Sequence, residues 1–182
     1  MNLDDYTDLR HRSGGGGPVI VEGLLAVEQL ATSRFDIRSV VVIPSKRDRL
    51  PPLPPDVPVH VVELDVLRQT VGYDLHRGVV ASAERPSPAD PAALLEGATR
   101  VLVVERVNDL ENLGSLFRAA RAFGCDAVLL DPETADPLAR RPVRVSMGHV
   151  LHVPFARLAA WPDDLALIEH AGLELVALTP SG

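Results

Sequence analysis

Apolar residues along the chain come in short runs broken by polar, proline-rich or glycine-rich stretches, and the runs alternate between strand-like and helix-like spacing. Residues 18–23, Pro-Val-Ile-Val-Glu-Gly, lead into a segment where Leu24, Val27 and Leu30 recur at three-residue steps, which predicts a helix over 24–31. A strand is expected at 40–43, followed by a polar loop at 44–49. Pro51, Pro52, Pro54, Pro55 and Pro58 then hold an extended connection. Residues 59–62 read as a strand, Asp65 as the cap of a short helix ending at Val71, and 78–83 as another strand.

Arg85 to Pro91 is studded with proline and reads as a stiff linker that spaces two modules. Beyond it the pattern predicts strand 101–105, helix 112–123, strand 127–130, a helix around 137–145, an apolar segment 150–155, helix 163–171 and strand 173–178. Strands alternating with helices imply a parallel sheet with right-handed crossovers. On helix 112–123, Leu113, Leu116, Phe117, Ala120 and Phe123 make an apolar stripe expected to face the core, while Ser115 and Arg118 share another face. The expected fold class is α/β. It comprises a flexible tail at 1–17 ending in Ser13-Gly14-Gly15-Gly16-Gly17, a small α/β unit at 18–85, a linker at 86–99 and a parallel-sheet unit at 100–182.

Composition narrows the function classes. No apolar run approaches the roughly 20 residues of a membrane span, so no membrane partner is expected. The acidic start, with no apolar segment behind it, is no secretory signal, and the single cysteine, Cys125, fits a reducing cytoplasm and reads as a small buried residue rather than a reactive thiol. A net charge of −7 argues against indiscriminate polyanion binding. Cations nevertheless gather at Arg10 to Arg12, at Lys46, Arg47 and Arg49, and at Arg140, Arg141 and Arg144. Lys46 is the only lysine among the 18 basic residues. That bias fits phosphate and base-edge recognition by the guanidinium fork, and equally a genome rich in G/C codons, which the prolines, alanines and valines favour.

The richest stretch is Val104-Glu105-Arg106-Val107-Asn108-Asp109-Leu110-Glu111-Asn112-Leu113-Gly114-Ser115-Leu116-Phe117-Arg118-Ala119-Ala120-Arg121-Ala122-Phe123-Gly124. Its turn and first helical turn sit at a strand's carboxyl end, where open α/β sheets place ligand sites. Asn112, Gly114, Arg118, Ala120, Phe123 and Gly124 fall on a pattern that resembles the first signature motif of the SpoU/TrmH branch of the SPOUT methyltransferases. Arg144-Val145-Ser146-Met147-Gly148 and the apolar run to Pro154 resemble the family's next motif. Glu22-Gly23 and Arg77-Gly78 match two anchors of the small N-terminal substrate-binding domain found in many members. The third motif, a glycine-glutamate-glycine loop with a later S-x-N helix, is not among the 182 residues.

The resemblance implies an RNA-binding α/β domain followed by an incomplete SPOUT domain of the trefoil-knot type. It implies an enzyme that moves a methyl group from S-adenosylmethionine to a ribose 2′-hydroxyl of ribosomal or transfer RNA, working as a homodimer in full-length form. It places Arg118 and Asn112 at the catalytic centre and the cofactor at the backbone of Leu178, Thr179 and Pro180. The residues alone leave other readings open. Asn112 is equally a helix cap, Arg118 a solvated surface residue and Arg121 only surface. Glu105 and Asp109 read as strand-end and turn residues. His149 and His152, three apart, lack a third ligand of suitable spacing, so no metal is expected. The alternative function is a non-catalytic RNA-binding module without the cofactor half. If the chain stops short of the third motif, it binds cofactor weakly, and 150–155 and 173–178 lack their partners and leave apolar surface uncovered.

Overall fold

The computed structural model describes residues 3–10 and 16–177. Among these described residues, runs rich in valine make seven strands, and thirteen named elements follow one another as β1 (Val19–Glu22), α1 (Leu24–Ala31), β2 (Ile37–Val42), β3 (Val59–Val61), α2 (Leu64–Val71), β4 (Val79–Ala83), α3 (Pro91–Leu95), β5 (Val101–Val104), α4 (Leu110–Ala122), β6 (Ala127–Leu130), α5 (Arg140–Val145), β7 (Phe155–Arg157) and α6 (Ala166–His170). Helix α2 begins one residue before Asp65, with Glu63 at its N-cap; Asp65 instead adds a negative charge to the first turn, where the helix dipole favours it.

Two sheets result. The first has the order β1-β4-β2-β3, with β4 antiparallel to both neighbours and β3 parallel to β2. The second, β5-β6-β7, is wholly parallel, as alternating strands and helices require. The apolar runs of β4 and β6 are buried on both faces, which is why they read as continuous rather than alternating.

Four expectations fail here for physical reasons. The tail expected over 1–17 is ordered over 3–10: Tyr6 and Leu9 are fully buried against the first sheet, and the Tyr6 hydroxyl donates to the Ser39 carbonyl at 2.8 Å. Two apolar side chains among polar ones are enough to anchor so short a segment. Nor does the linker hold two modules apart. One hydrophobic cluster runs through Val21, Val27 and Ala81 of the first sheet unit and Leu113, Val143 and Leu151 of the second. Residues 173–177 carry no strand, and Leu175 and Val176 are exposed, because no described strand offers them a ladder. By contrast Val150, Leu151 and Val153 are buried, so that stretch is not the uncovered surface expected of it.

The units are joined by charge as well as by apolar contact. Glu22, only 3% exposed at the end of β1, accepts hydrogen bonds from the Tyr73 hydroxyl at 2.6 Å and from Arg140 Nη1 of α5 at 2.8 Å. The Arg140 guanidinium also stacks 4.3 Å from the centre of the Tyr73 ring. Burial, and then the Glu22 charge, raise the Tyr73 pKa; burial of Arg140 is outweighed by the same carboxylate, so its pKa also rises. Gly148 makes the second junction. At φ +85 it brings its backbone so close to α1 that a Cβ there would lie 2.8 Å from Gln29 Cβ.

Candidate functional site

Strand β5 runs into the turn 105–109, and Asp109 starts α4 by accepting from the backbone N–H groups of Glu111 at 2.8 Å and Asn112 at 2.9 Å. Asn112 is therefore not the cap. It sits exposed in the first turn, with a side-chain amide free of hydrogen bonds among the described residues. The turn is laced to the one after β6: Thr134 Oγ1 accepts from Val107 N at 3.3 Å, Ala135 N donates to Val107 O at 3.1 Å, and Arg106 pairs with Glu133 at 3.0 Å. Asp131 anchors the second loop. Burial opposes its charge, yet the Thr134 hydroxyl and the backbone N–H groups of Arg106, Thr134 and Glu133 outweigh that and lower its pKa.

Helix α4 buries Leu113, Gly114, Phe117 and Ala120, and Phe117 meets Phe155 edge-on with ring centres 5.6 Å apart. Phe123, expected in the core stripe, is 72% exposed. It is the residue where the helix ends, and Gly124 at φ +67 turns the chain before the stripe completes another step. Gly114 allows α4 to touch α5: a Cβ there would stand 2.8 Å from Val145 Cβ and 2.9 Å from the Pro142 carbonyl oxygen.

Arg118 projects from the exposed side of α4, six residues beyond Asn112. That is about 9 Å along the axis and about 120° around it, so the two do not share one narrow face. Charge from Arg118 and Arg121 reaches His149, and charge from Arg121 reaches His152, while Arg121 itself stays exposed on the helix surface. Burial first, then these cations, lower both imidazole pKa values; a backbone hydrogen bond with Gln29 partly offsets the effect at His152. His149 Nδ1 and His152 Nε2 are cut off from solvent with no hydrogen-bond partner. Among the described residues neither Arg118 nor Arg121 forms an ion pair, whereas neighbouring Glu111 is taken by Arg141 and Glu22 by Arg140.

The sequence reading put Arg118 and Asn112 on one helix, as the structure has them, and weighed His149 and His152 only as metal ligands; it missed the charge that α4 exerts on them, for which the three-residue spacings were the available signal. Among the described residues no group of three or more His, Cys, Asp or Glu side chains could hold a metal ion. Leu178, Thr179 and Pro180 lie outside the described residues. Burial raises the Cys125 thiol pKa, as suits an unreactive filler. A cavity of about 840 Å³ opens elsewhere, between the chain at 84–89 and β7, with Phe35, Leu138, Phe155 and Leu158 in its wall. Arg85 closes one side of it through a two-pronged contact with Asp136 at 3.2 and 2.9 Å. No described helix is long and apolar enough to cross a membrane.

A sequence profile of the SpoU rRNA Methylase family matches residues 99–182. Over 99% of its length the chain is 41% identical to an uncharacterized tRNA/rRNA methyltransferase of Mycobacterium tuberculosis, and it spans 65% of that protein. It is 27% identical to a 23S rRNA guanosine 2′-O-methyltransferase of Bacillus subtilis, over 80% of this chain and 57% of that one. Among solved structures, the SpoU methyltransferase AviRb from Streptomyces viridochromogenes superposes with a TM-score of 0.71 at 18% identity, covering 93% of this chain and 66% of the other. An AdoMet-bound rRNA methyltransferase from Sinorhizobium meliloti superposes with a TM-score of 0.62 at 29% identity, covering 85% and 59%.

Proposed function

We propose that the chain, whose residues 99–182 match the SpoU rRNA Methylase family, serves to transfer a methyl group from S-adenosylmethionine to a ribose 2′-hydroxyl of ribosomal or transfer RNA. One observation carries the reading: Arg118, at the family's motif position, holds a guanidinium with no ion pair among the described residues on the exposed side of α4, the helix that the carboxyl-end loop of β5 leads into. The 2′-hydroxyl specificity draws its support from the B. subtilis relative, and the cofactor from the S. meliloti structure.

S-adenosylmethionine, when bound, supplies a methyl group on a sulfonium that is already an excellent leaving group. The protein's task is then to hold the ribose oxygen in line, which is worth roughly 7–11 kcal/mol of barrier. Arg118 cannot serve as a base, since a guanidinium stays protonated. It holds the adjacent phosphate and stabilises the oxygen as negative charge develops on it. Asn112, with its amide unengaged, is placed to hydrogen-bond the RNA from the first turn of the helix. The residues assigned to the cofactor are Leu178, Thr179 and Pro180. The stretch before them, 173–177, with Leu175 and Val176 uncovered, fits a partner bound through backbone and apolar faces. In its full-length form the protein works as a homodimer.

The test is transfer of tritium from methyl-labelled S-adenosylmethionine to transcribed 23S rRNA and tRNA by the protein expressed from its full reading frame. Arg118→Lys keeps the charge but loses the fork, and should slow transfer by at least about a hundredfold, near 2.7 kcal/mol, while cofactor affinity holds. Arg68→Lys, on α2 and paired with Asp74, serves as the control. Parental transfer by Arg118→Lys would refute the role given to that side chain. RNA binding without transfer would favour the binding-module reading.

A further inference from the structure

We propose that the cavity between the chain at 84–89 and β7 receives one unstacked nucleotide of the RNA strand, with its base against the free edge of β7 and its phosphate at the arginines of the mouth. The inference rests on the proposed function in taking RNA as the partner, and it extends that reading to a part of the molecule outside its mechanism.

Position favours a ligand there. The cavity, of about 840 Å³, takes in Leu130 at the end of β6 and Arg157 and Leu158 at the end of β7. The crevice beyond the carboxyl ends of parallel strands is where α/β sheets receive ligands. It is also tied to the turn that starts α4. Arg157 donates from Nη1 to the carbonyls of Asp131 at 2.6 Å and Pro132 at 3.2 Å, and from Nη2 to that of Ala135 at 3.3 Å. The same loop holds Val107 through Thr134 and Ala135. A ligand against Arg157 and Leu138 is thus one loop away from residues 105–109, which lead into the helix of Asn112 and Arg118.

The wall offers both kinds of surface that a base presents. Phe35, Leu130, Leu138, Phe155 and Leu158 are apolar, and the volume lies in the range of small-molecule sites, roughly 300–1,000 Å³. The polar groups come from the strand edge. β7 is the last strand of its sheet, and its ladder runs through Pro154 O, which accepts from Val128 N at 2.9 Å, and Leu158 N, which donates to Leu130 O at 2.8 Å. Because successive residues alternate, the N–H and C=O groups of Phe155 and Arg157 turn away from β6, to the side where no described strand pairs with them. A row of donors and acceptors beside apolar faces complements a planar base, whose faces stack and whose edge both donates and accepts.

The mouth carries the charge for one phosphate. Arg34 is exposed, its guanidinium 5.9 Å from the centre of the Phe35 ring, and the Arg157 guanidinium meets only carbonyl oxygens. Neither has a carboxylate partner among the described residues, whereas Glu84 is matched by Arg38 and Asp136 by Arg85. Asp36 also lines the cavity, so the unmatched charge is two cations and one acid, which suits a single phosphodiester better than a free triphosphate. An extended peptide could use the same strand edge. It has no need of the cations, however, and on its other flank it would meet Pro86 and Pro88, which have no N–H to give.

The experiment measures binding, separately from methyl transfer, on the protein expressed from its full reading frame. Adenosine, the four nucleoside 5′-monophosphates and S-adenosylmethionine are titrated by calorimetry, and affinity for transcribed 23S rRNA is measured over a series of salt concentrations. Ser87 is exposed and lines the cavity, so Ser87→Trp fills the space from outside the core. It should weaken RNA binding at least tenfold, weaken the monophosphates likewise and leave S-adenosylmethionine untouched. Arg34→Gln, which breaks no ion pair among the described residues, should remove any preference for AMP over adenosine and lower the slope of log RNA affinity against log salt by about one; it decides the matter alone if Ser87→Trp fails to fold. Parental RNA affinity in Ser87→Trp and a parental salt slope in Arg34→Gln would overturn the inference and leave the methylation reading intact. Monophosphate binding lost in Ser87→Trp at parental RNA affinity would overturn the RNA strand as the source of the nucleotide. Loss of S-adenosylmethionine in that variant would make the cavity the cofactor's pocket, and uptake of a five-residue peptide of alternating valine and threonine in place of nucleotides would make it a strand-addition site; either overturns the proposal. Cavity-dependent RNA binding in a chain that transfers no methyl group would uphold the nucleotide site and refute the methyl-transfer reading.

Discussion

Two groups of arginines lie on adjacent, packed helices and have opposite fates. On α5, Arg140 is sunk into the junction of the two sheet units, with a carboxylate at 2.8 Å and an aromatic ring beneath it. On α4, Arg118 and Arg121 are exposed and form no ion pair among the described residues. The first group follows the rule that a charge taken from water must be paired. The second leaves charge uncompensated on the exposed surface of α4. The difference separates residues that hold the units together from residues that take no part in doing so.

The harshest way to break the comparison is to remove the paired arginine. Arg140→Ala strands the Glu22 carboxylate, 3% exposed, with Tyr73 as its remaining donor. Because Arg140 itself is 28% exposed, the cost should fall at the low end for a broken buried pair, about 3 kcal/mol, read as a lower urea midpoint. An unchanged midpoint would mean that this contact does not hold the units. Next in size is Gly114→Ala, whose Cβ would press on Val145 and the Pro142 carbonyl and force α4 from α5, at about 2 kcal/mol in thermal unfolding. Asp109→Ala, which removes the cap of α4, should cost about 1 kcal/mol by the same measurement.

On the unpaired side, Arg121→Gln should change stability by no more than about 0.5 kcal/mol, since it breaks no ion pair. A large loss there would erase the contrast. The smallest effect is one of pH. His149 and His152 have lowered pKa values in the folded chain, so the unfolded chain takes up protons first as the solution is acidified. Their contribution to stability is complete above about pH 6.5 and declines below it. In Arg121→Gln, with one repelling cation gone, that decline should be shallower in unfolding curves taken between pH 7 and 5.

The paired group was the harder of the two to read from sequence. Glu22, Tyr73 and Arg140 lie 51 and 118 positions apart along the chain, and only the crossing of the sheets brings them together. Local signals served well where local physics decides: the valine runs became strands, the α4 stripe buried Leu113 and Phe117, and Gly114 proved to be a point of contact. They failed at ends and edges. Phe123 obeyed the helical period but fell on the turn where the helix stops, and 173–177 had a strand's composition without a neighbour to pair with. Asn112 was legible as a helix-start residue, yet the neighbouring carboxylate of Asp109 does the capping. The histidines carried a spacing that also fits a metal site, and the cations that lower their pKa values come from another helix.

The scarcity of aromatic residues has a practical side. Both tyrosines, Tyr6 and Tyr73, lie in or against the core of the first sheet, while the single tryptophan, Trp161, belongs to the second unit, its indole N–H donating to Glu105 at 3.0 Å. The molecule therefore contains its own pair of optical reporters, one kind in each half. Excitation that selects the indole follows the second half alone, and tyrosine emission follows the first. Whether the two halves come apart together or in turn can be watched in the unlabelled protein, in an ordinary cuvette.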